Sequence, residues 1–529
     1  MSFVSVGFLL FLALLTATYY LVPKRGQWVL LLAGSLVFYA FAGWKYLFFL
    51  VGTATVVYFA ARRIEEIGKQ SSAWLKEHKT ELSPEERKAK KAAAKKRQQG
   101  VFLAALLVSL GILAVLKYTN FVLANVSSLL ALFGAEAIPG VNLILPLGIS
   151  FYTFQAVGYL IDVNRGNVGA ERNYFRFLLF VGFFPQLVQG PISRFDQLSE
   201  TLYGPHDLDW QNISHGLRRI VWGYFKKVVV ADRILTAVLT ITGKPETYSG
   251  AMVLVGMLFY AIELYADFTG GIDISIGAAE MLGIRLAENF DRPYLSRSVE
   301  EYWRRWHITM GTWFRDYIFY PLSVSKGMLK LSKWSRQHLG NGFGKRLSVY
   351  VSTTIVWFAT GIWHGAAWNF VVWGLLNGFA IMVSQELTPF YEWFHKHVPV
   401  EGRPGWAVFQ TVRTFFLMCL FRSLDCYRDV PLTFRMWWSI LAKGNFSALT
   451  DGTLLKLGLT GADYIVIALG VALMLTVSLL AGKKPVRQRL DEAPALVRSL
   501  GTALMILVIL VFGAYGIGYD ASAFIYGQF

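Results

Sequence analysis

RLSVYVSTTIVWFATGIWHGAAWNFVVWGLLNGFAIMVSQE, from Arg346 to Glu386, encloses 39 consecutive residues without a Lys, Arg, Asp or Glu. As one helix this run would measure roughly 58 Å, about twice the ~30 Å hydrocarbon core of a bilayer. It therefore reads as two membrane segments, or as one broken segment. The paired glycines of Gly361-Ile362-Trp363-His364-Gly365 mark the break, because glycine weakens a helix interior. His364 is the sole imidazole of the run, and the break puts it at a backbone irregularity at membrane depth. Non-helical backbone is tolerated there only where protein buries it or it lines a cavity. An ionisable side chain in such a place is a candidate functional residue. A structural histidine bonded to a neighbouring helix is the plainer alternative.

The rest of the chain is of the same kind. Of its 529 residues 55% are hydrophobic and 16% aromatic, and apolar runs recur from 3–22 to 499–517. Several runs are shorter than the ~20 residues a spanning helix needs. The expectation is an all-α polytopic membrane protein, one bundle of about 11 spans with re-entrant or interfacial helices between them. The first run lacks a basic flank before it and small residues after it, so it reads as a retained helix and not a removed signal peptide. Cys419 and Cys426 are the only cysteines, and they make neither a disulfide framework nor a zinc spacing. No metal site is expected.

A net charge of +17 raises the question of nucleic acid, and the position of the charge argues against it. Residues 62–99 hold twelve Lys or Arg against six Asp or Glu and lie between two apolar segments. Such a loop reads as a cytoplasmic topology signal that also attracts anionic lipid headgroups. Three preceding spans then put the N-terminus outside, with Lys24 and Arg25 inside. The basic stretch Lys483-Lys484-Pro485-Val486-Arg487-Gln488-Arg489 reads as cytoplasmic too, which places the tail Gly518–Phe529 outside.

A second informative stretch runs from Glu301 to Tyr317, EYWRRWHITMGTWFRDY. At helical spacing Trp303, Trp306, His307, Met310, Phe314 and Tyr317 share one face. This predicts one amphipathic, aromatic-rich helix, either lining a polar space within the bundle or lying in the interfacial belt where Trp and Tyr are enriched.

That stretch resembles the central signature of the membrane-bound O-acyltransferases, in the bacterial branch containing the alginate O-acetylation membrane component and the teichoic-acid D-alanyl transfer protein. Further matches occur in order: Pro146-Leu147-Gly148-Ile149-Ser150-Phe151-Tyr152-Thr153-Phe154-Gln155, Tyr159-Leu160-Ile161-Asp162-Val163, Phe184-Pro185-Gln186-Leu187-Val188-Gln189-Gly190-Pro191-Ile192, Asp267-Phe268-Thr269-Gly270, Asn289-Phe290, Pro293-Tyr294 and Trp363-His364-Gly365. Each is weak alone, and together they are specific. The resemblance covers roughly 1–425, which gives a core there and a C-terminal helical extension, 426–529, with two further spans. One departure is Gly271-Ile272-Asp273, where the family commonly has aromatic-Ser-Asp, and it leaves the role of the Asp267–Asp273 turn open.

The resemblance implies a helical bundle around a central tunnel, with His364 catalytic and His307 as a second polar site. It also implies transfer of an acyl group, in this branch most often acetyl, from a cytoplasmic thioester to an exported polysaccharide or wall polymer. Such transfer needs a base, and imidazole suits that role because its ordinary pKa of ~6.5 lies near operating pH. His307 can orient the acceptor or donate a hydrogen bond to the thioester carbonyl. Arg304, Arg305 and Arg315 are candidates for donor phosphates, with pairing to Asp316 or Glu301 the simpler use. The length favours the alginate-type branch and acetyl-CoA as donor; a carrier-protein thioester and D-alanyl transfer form the alternative. No tightly bound cofactor is expected. Expected partners are membrane lipids, a secreted or periplasmic serine-type transferase and the polysaccharide synthesis machinery, in a bacterial cytoplasmic membrane. A flippase without chemistry is the rival class, and the halves show no internal repeat to favour it. A scaffold for a polysaccharide synthase is a third reading, and it gives the two histidines no purpose.

Overall fold

The computed structural model describes residues 1–482 and 484–515; Lys483 and the expected external tail Gly518–Phe529 lie outside them. Among the described residues there is no strand, only an isolated antiparallel bridge between Phe290 and Trp306. Six helices among the described residues are long and apolar enough to cross a membrane: Tyr46–Glu77, Pro84–Ala131, Ala251–Met281, Pro404–Tyr427, Gly461–Leu480 and Ala495–Phe512. A seventh forms if Trp368–Glu386 and Thr388–His397, bent by 51° at Leu387, count as one span. The remaining apolar runs fall on shorter or more polar helices such as Gln27–Ala40 and Ile149–Arg165. Their buried amides are bonded internally: Gln27 donates to the Tyr19 and His206 carbonyls, and Gln155 to the Phe180 carbonyl.

The helices fall into two compact units. The first comprises Met1–Gly216 with Ala278–Ala287. Here the basic stretch 62–99 differs from the expected loop. Most of it is helix, because Tyr46–Glu77 and Pro84–Ala131 continue past their apolar parts and turn only at 78–83. The residues explain it: Ala, Lys, Arg, Glu and Gln are strong helix formers. Ser83 and Glu86 also close a reciprocal capping box at the second helix's start. The two arms hold each other through Lys90 over the Trp74 ring at 4.0 Å and Gln98 bonded to the Ile64 carbonyl at 2.9 Å. With 1.5 Å of rise per residue, each arm carries its charges roughly 24 Å beyond the apolar part.

Two of the sequence motifs meet in the same unit. Gly148 adopts φ 72° against the Leu187 backbone, where a Cβ would stand 1.9 Å from the Leu187 carbonyl oxygen. Only glycine fits that conformation and that approach. Gln186 donates to the Pro191 carbonyl at 3.1 Å and to Ser193. The Pro146–Gln155 and Phe184–Ile192 stretches are thus one polar knot that fixes where helices begin.

The second unit comprises Leu217–Gly277 and the chain from Glu288 onward, so the described part of 426–529 belongs to it. The charge-free run is two helices, Phe343–His364 and Trp368–Glu386, reversed at Gly365–Ala367. They approach through Gly361 and Gly374: a Cβ on Gly374 would lie 2.4 Å from the Trp357 carbonyl oxygen and 3.0 Å from the Gly361 Cα. Small residues at such a crossing let backbones touch where lipid offers no hydrophobic drive.

Candidate active site

The Glu301–Tyr317 stretch is not the continuous helix its periodicity predicts. One helix, Val299–Arg305, ends and another, Ile308–Phe314, starts, with His307 between them at φ 49°. The reversal comes from a distant segment. Asp291 N–H donates to the Arg305 carbonyl and Ile308 N–H to the Asn289 carbonyl, both at 3.0 Å, while Phe290 bridges Trp306. Backbone bonds to 289–291 replace those of a continuing helix, and the Asn289-Phe290 motif becomes the strut that turns His307 inward.

His307 is fully buried. Its ring meets Phe268 edge-on at 5.0 Å, and Nδ1 stands 3.3 Å from the Asn289 Oδ1. That oxygen also accepts from Thr309 N–H at 3.0 Å and the Thr309 hydroxyl at 2.9 Å. A backbone N–H can only donate, so this atom of Asn289 is the acceptor, and the proton between it and His307 belongs to Nδ1. The neutral imidazole then presents a lone pair at Nε2.

His364 closes its helix and is 6% exposed. Its ring lies 4.9 Å from Trp363 and 4.7 Å from Trp373. Trp363 also touches His307, at 5.8 Å. Two imidazoles 57 positions apart in sequence therefore share one indole. Trp303 braces this wall, bonding Asn377 at 3.0 Å and meeting Trp357 and Trp373.

The three expected phosphate-binding arginines are occupied or turned outward. Arg305 pairs with Glu301 at 2.6 Å, Arg315 with Asp316 at 2.8 Å, and Arg304 is exposed. The supposed Asp267–Asp273 turn is helix, inside Ala251–Met281. Its carboxylates face a seven-residue π-helical segment, Phe225–Ala231, a type of irregularity often found at functional sites. Lys227 bonds Asp267 at 2.6 Å and Asp232 at 2.8 Å, and Lys226 bonds Asp273 at 2.6 Å and the Thr269 hydroxyl at 2.8 Å. Arg219 reaches Asp273 and Glu288. Asp267-Phe268-Thr269 is thus two anchors flanking the ring that holds His307.

Reading the sequence missed this network, and it missed Arg422, whose guanidinium lies 4.7 Å from Trp373, 5.1 Å from Trp306 and 5.4 Å from Trp303. The signal was present: Lys226 and Lys227 interrupt the apolar run 216–231, and Arg422 follows 408–421 directly. Three of the other imidazoles lie against a tryptophan four positions earlier: His78, His338 and His397 against Trp74, Trp334 and Trp393.

Residues 169–339 match MBOAT, the membrane-bound O-acyltransferase family. The chain is 32% identical to the probable alginate O-acetylase of Azotobacter vinelandii over 384 residues, 72% of this chain and 68% of that one. It is 31% identical to the peptidoglycan O-acetyltransferase of Helicobacter pylori over 429 residues, 75% of this chain and 71% of the relative. With the teichoic acid D-alanyltransferase of Bacillus subtilis it shares 27% over 290 residues, 53% and 68% of the two chains. Helices that cross the membrane, two inward histidines and relatives that all transfer acyl groups lead to one conclusion: the chain belongs to the membrane-bound O-acyltransferase family, as a multi-pass O-acyltransferase.

Proposed function

We propose that this protein passes an acyl group, acetyl in the first instance, from a cytoplasmic thioester to an acceptor hydroxyl for modification of an exported polysaccharide or wall polymer. The shared indole between His307 and His364 carries this reading, since it brings two proton-handling groups to one place inside the bundle. His364 takes the proton from the hydroxyl as general base. His307 positions that hydroxyl: a neutral ring with its proton at Nδ1 accepts at Nε2, which favours orienting the acceptor over donating to the thioester carbonyl. The acetyl assignment rests on the relatives at 31–32% identity, named alginate and peptidoglycan O-acetyl-transferring proteins, each covering more of this chain than the D-alanyltransferase does. Acetyl-CoA is the proposed donor and a passage through the bundle its route. A separate serine-type transferase outside the membrane completes the modification. The bilayer is the bacterial cytoplasmic membrane, with the 78–83 turn on the cytoplasmic side and the N-terminus outside.

The test is acetyl transfer or thioester hydrolysis by the purified protein given labelled acetyl-CoA. Activity should fall by about 10²–10⁴ in His364→Ala while the variant remains folded and membrane-inserted. Wild-type turnover in His364→Ala rejects the base assignment. Turnover only with an aminoacylated carrier protein replaces the donor.

A further inference from the structure

Resting on that reading, we propose that Arg422 is a further catalytic residue, which binds the acyl oxygen of the donor and stabilises the negative charge that forms there. Arg422 lies in the membrane-crossing helix Pro404–Tyr427 and is 4% exposed. A buried charge is costly unless something pairs with it, yet this guanidinium makes no ion pair among the described residues, and its Nε has no acceptor among them. Asp425, one turn further on, offsets the charge at a distance; its Oδ2 accepts instead from the Tyr260 hydroxyl at 2.7 Å. What surrounds the guanidinium is aromatic: Trp303, Trp306 and Trp373, with the Tyr302 hydroxyl in electrostatic reach. Indole faces hold a planar cation without consuming its N–H donors.

The location is as informative as the missing partner. Trp373 touches both Arg422 and His364, each at 4.7 Å, and Trp306 directly precedes His307. A preorganised donor beside two imidazoles fits the charge flow of acyl transfer. The acceptor oxygen bonds to the carbonyl carbon as its proton passes to His364, and the carbonyl π pair moves onto oxygen, facing Arg422. When the carbonyl re-forms, the C–S bond breaks and the thiolate recovers the proton from His364, giving one ester and one thiol. A fixed donor aimed at that oxygen acts most strongly where water is excluded.

The experiment uses full-length protein in nanodiscs, with Arg422→Gln, Arg422→Lys and His364→Ala, and the thioester that wild type turns over. Arg422→Gln should lose about 10²–10³ in kcat while KM and the Kd of the free thiol product stay within threefold of wild type. Arg422→Lys, which keeps the charge without the fork, should recover part of the loss. A kcat within threefold of wild type in Arg422→Gln overturns the assignment. So does joint loss of kcat, thiol binding and thermal stability, which marks Arg422 as a packing element. Full activity in His364→Ala beside an inactive Arg422→Gln removes the base assignment and leaves this one standing. A wild-type protein that transfers no acyl group from any thioester removes both.

Discussion

At His307 the backbone itself is a functional feature. A left-handed conformation costs an ordinary residue roughly 1–2 kcal/mol, and asparagine tolerates it better than most. His307→Asn should therefore keep the turn while losing the imidazole, whereas His307→Val loses both. We expect the Asn variant to melt near wild type in detergent and the Val variant at clearly lower temperature, with both nearly inactive; equal melting temperatures would falsify the strain argument. Asn289 gives the matching test of the tautomer. Asn289→Asp keeps an oxygen acceptor for Nδ1–H and the Thr309 donors, and Asn289→Leu removes it. By analogy with other orienting partners, the Leu variant should lose about 10–100-fold in kcat, and the Asp variant less. Comparable losses in both would show that the oxygen does not set the proton position. His364 was legible in the sequence because its surroundings are local: a charge-free run, two glycines and a Trp-His-Gly element. The turn at His307 was not, because segment 289–291 imposes it and helical periodicity carries no trace of that pairing.

The elements that hold the two histidines depend on buried charge and on missing side chains. Lys227, in the π-helical segment, stands between Asp232 and Asp267, all three at 5% exposure or less. Removing the cation alone leaves two buried carboxylates without it, and breaking such a pair costs about 3–5 kcal/mol. Lys227→Met should fail to accumulate or should melt far below wild type, and Lys227→Met with Asp232→Asn and Asp267→Asn should recover much of the loss. If the triple variant is no better than the single one, the lysine matters for its packing and not for charge balance. At the Gly361–Gly374 crossing, Gly374→Leu forces the helices apart, since even a Cβ would meet the Trp357 carbonyl oxygen at 2.4 Å. It should cost about 1–3 kcal/mol and shift His364 off Trp373. Activity should therefore fall further in this variant than in one made equally unstable by a substitution outside the hairpin, such as Leu113→Ala. In the sequence Gly361 and Gly365 read as the break of the charge-free run; Gly361 instead lies inside the helix Phe343–His364 as a contact point of the crossing, a pairing with Gly374 that the sequence did not reveal. The cationic arms were not legible either, because charge in a long run signals solvent exposure in loop and helix alike. Propensity and the Ser83–Glu86 box decided between them.

Over the whole molecule, the side on which each end of the chain lies follows from how many times it crosses. The first two helices, Val6–Leu21 and Gln27–Ala40, have 16 and 14 residues, so they measure about 24 Å and 21 Å against a ~30 Å core. Either they cross a locally thinned bilayer, or they enter and return as a pair. Both arrangements deliver the chain to the same face before Tyr46–Glu77, so both put the N-terminus opposite the 78–83 turn. They differ at the connection between them, where Lys24 pairs with Asp207 at 2.5 Å with both side chains largely exposed. Positive-inside bias places Lys24 and Arg25 with the basic arms, which requires two true crossings. The check is an impermeant maleimide on intact cells, with Cys419 and Cys426 replaced by Ala and single cysteines at Ser2, Lys24 and Lys88. Ser2→Cys should label in intact cells, and Lys24→Cys and Lys88→Cys only after the membrane is opened. Labelling of Lys24→Cys from outside would make the first two helices a re-entrant pair and leave the orientation of the rest intact. Labelling of Lys88→Cys from outside would place the 78–83 turn on the outer face and overturn the proposed orientation. The thioester would then have to arrive from the side where the cell makes none, and the proposed direction of transfer would fall with it.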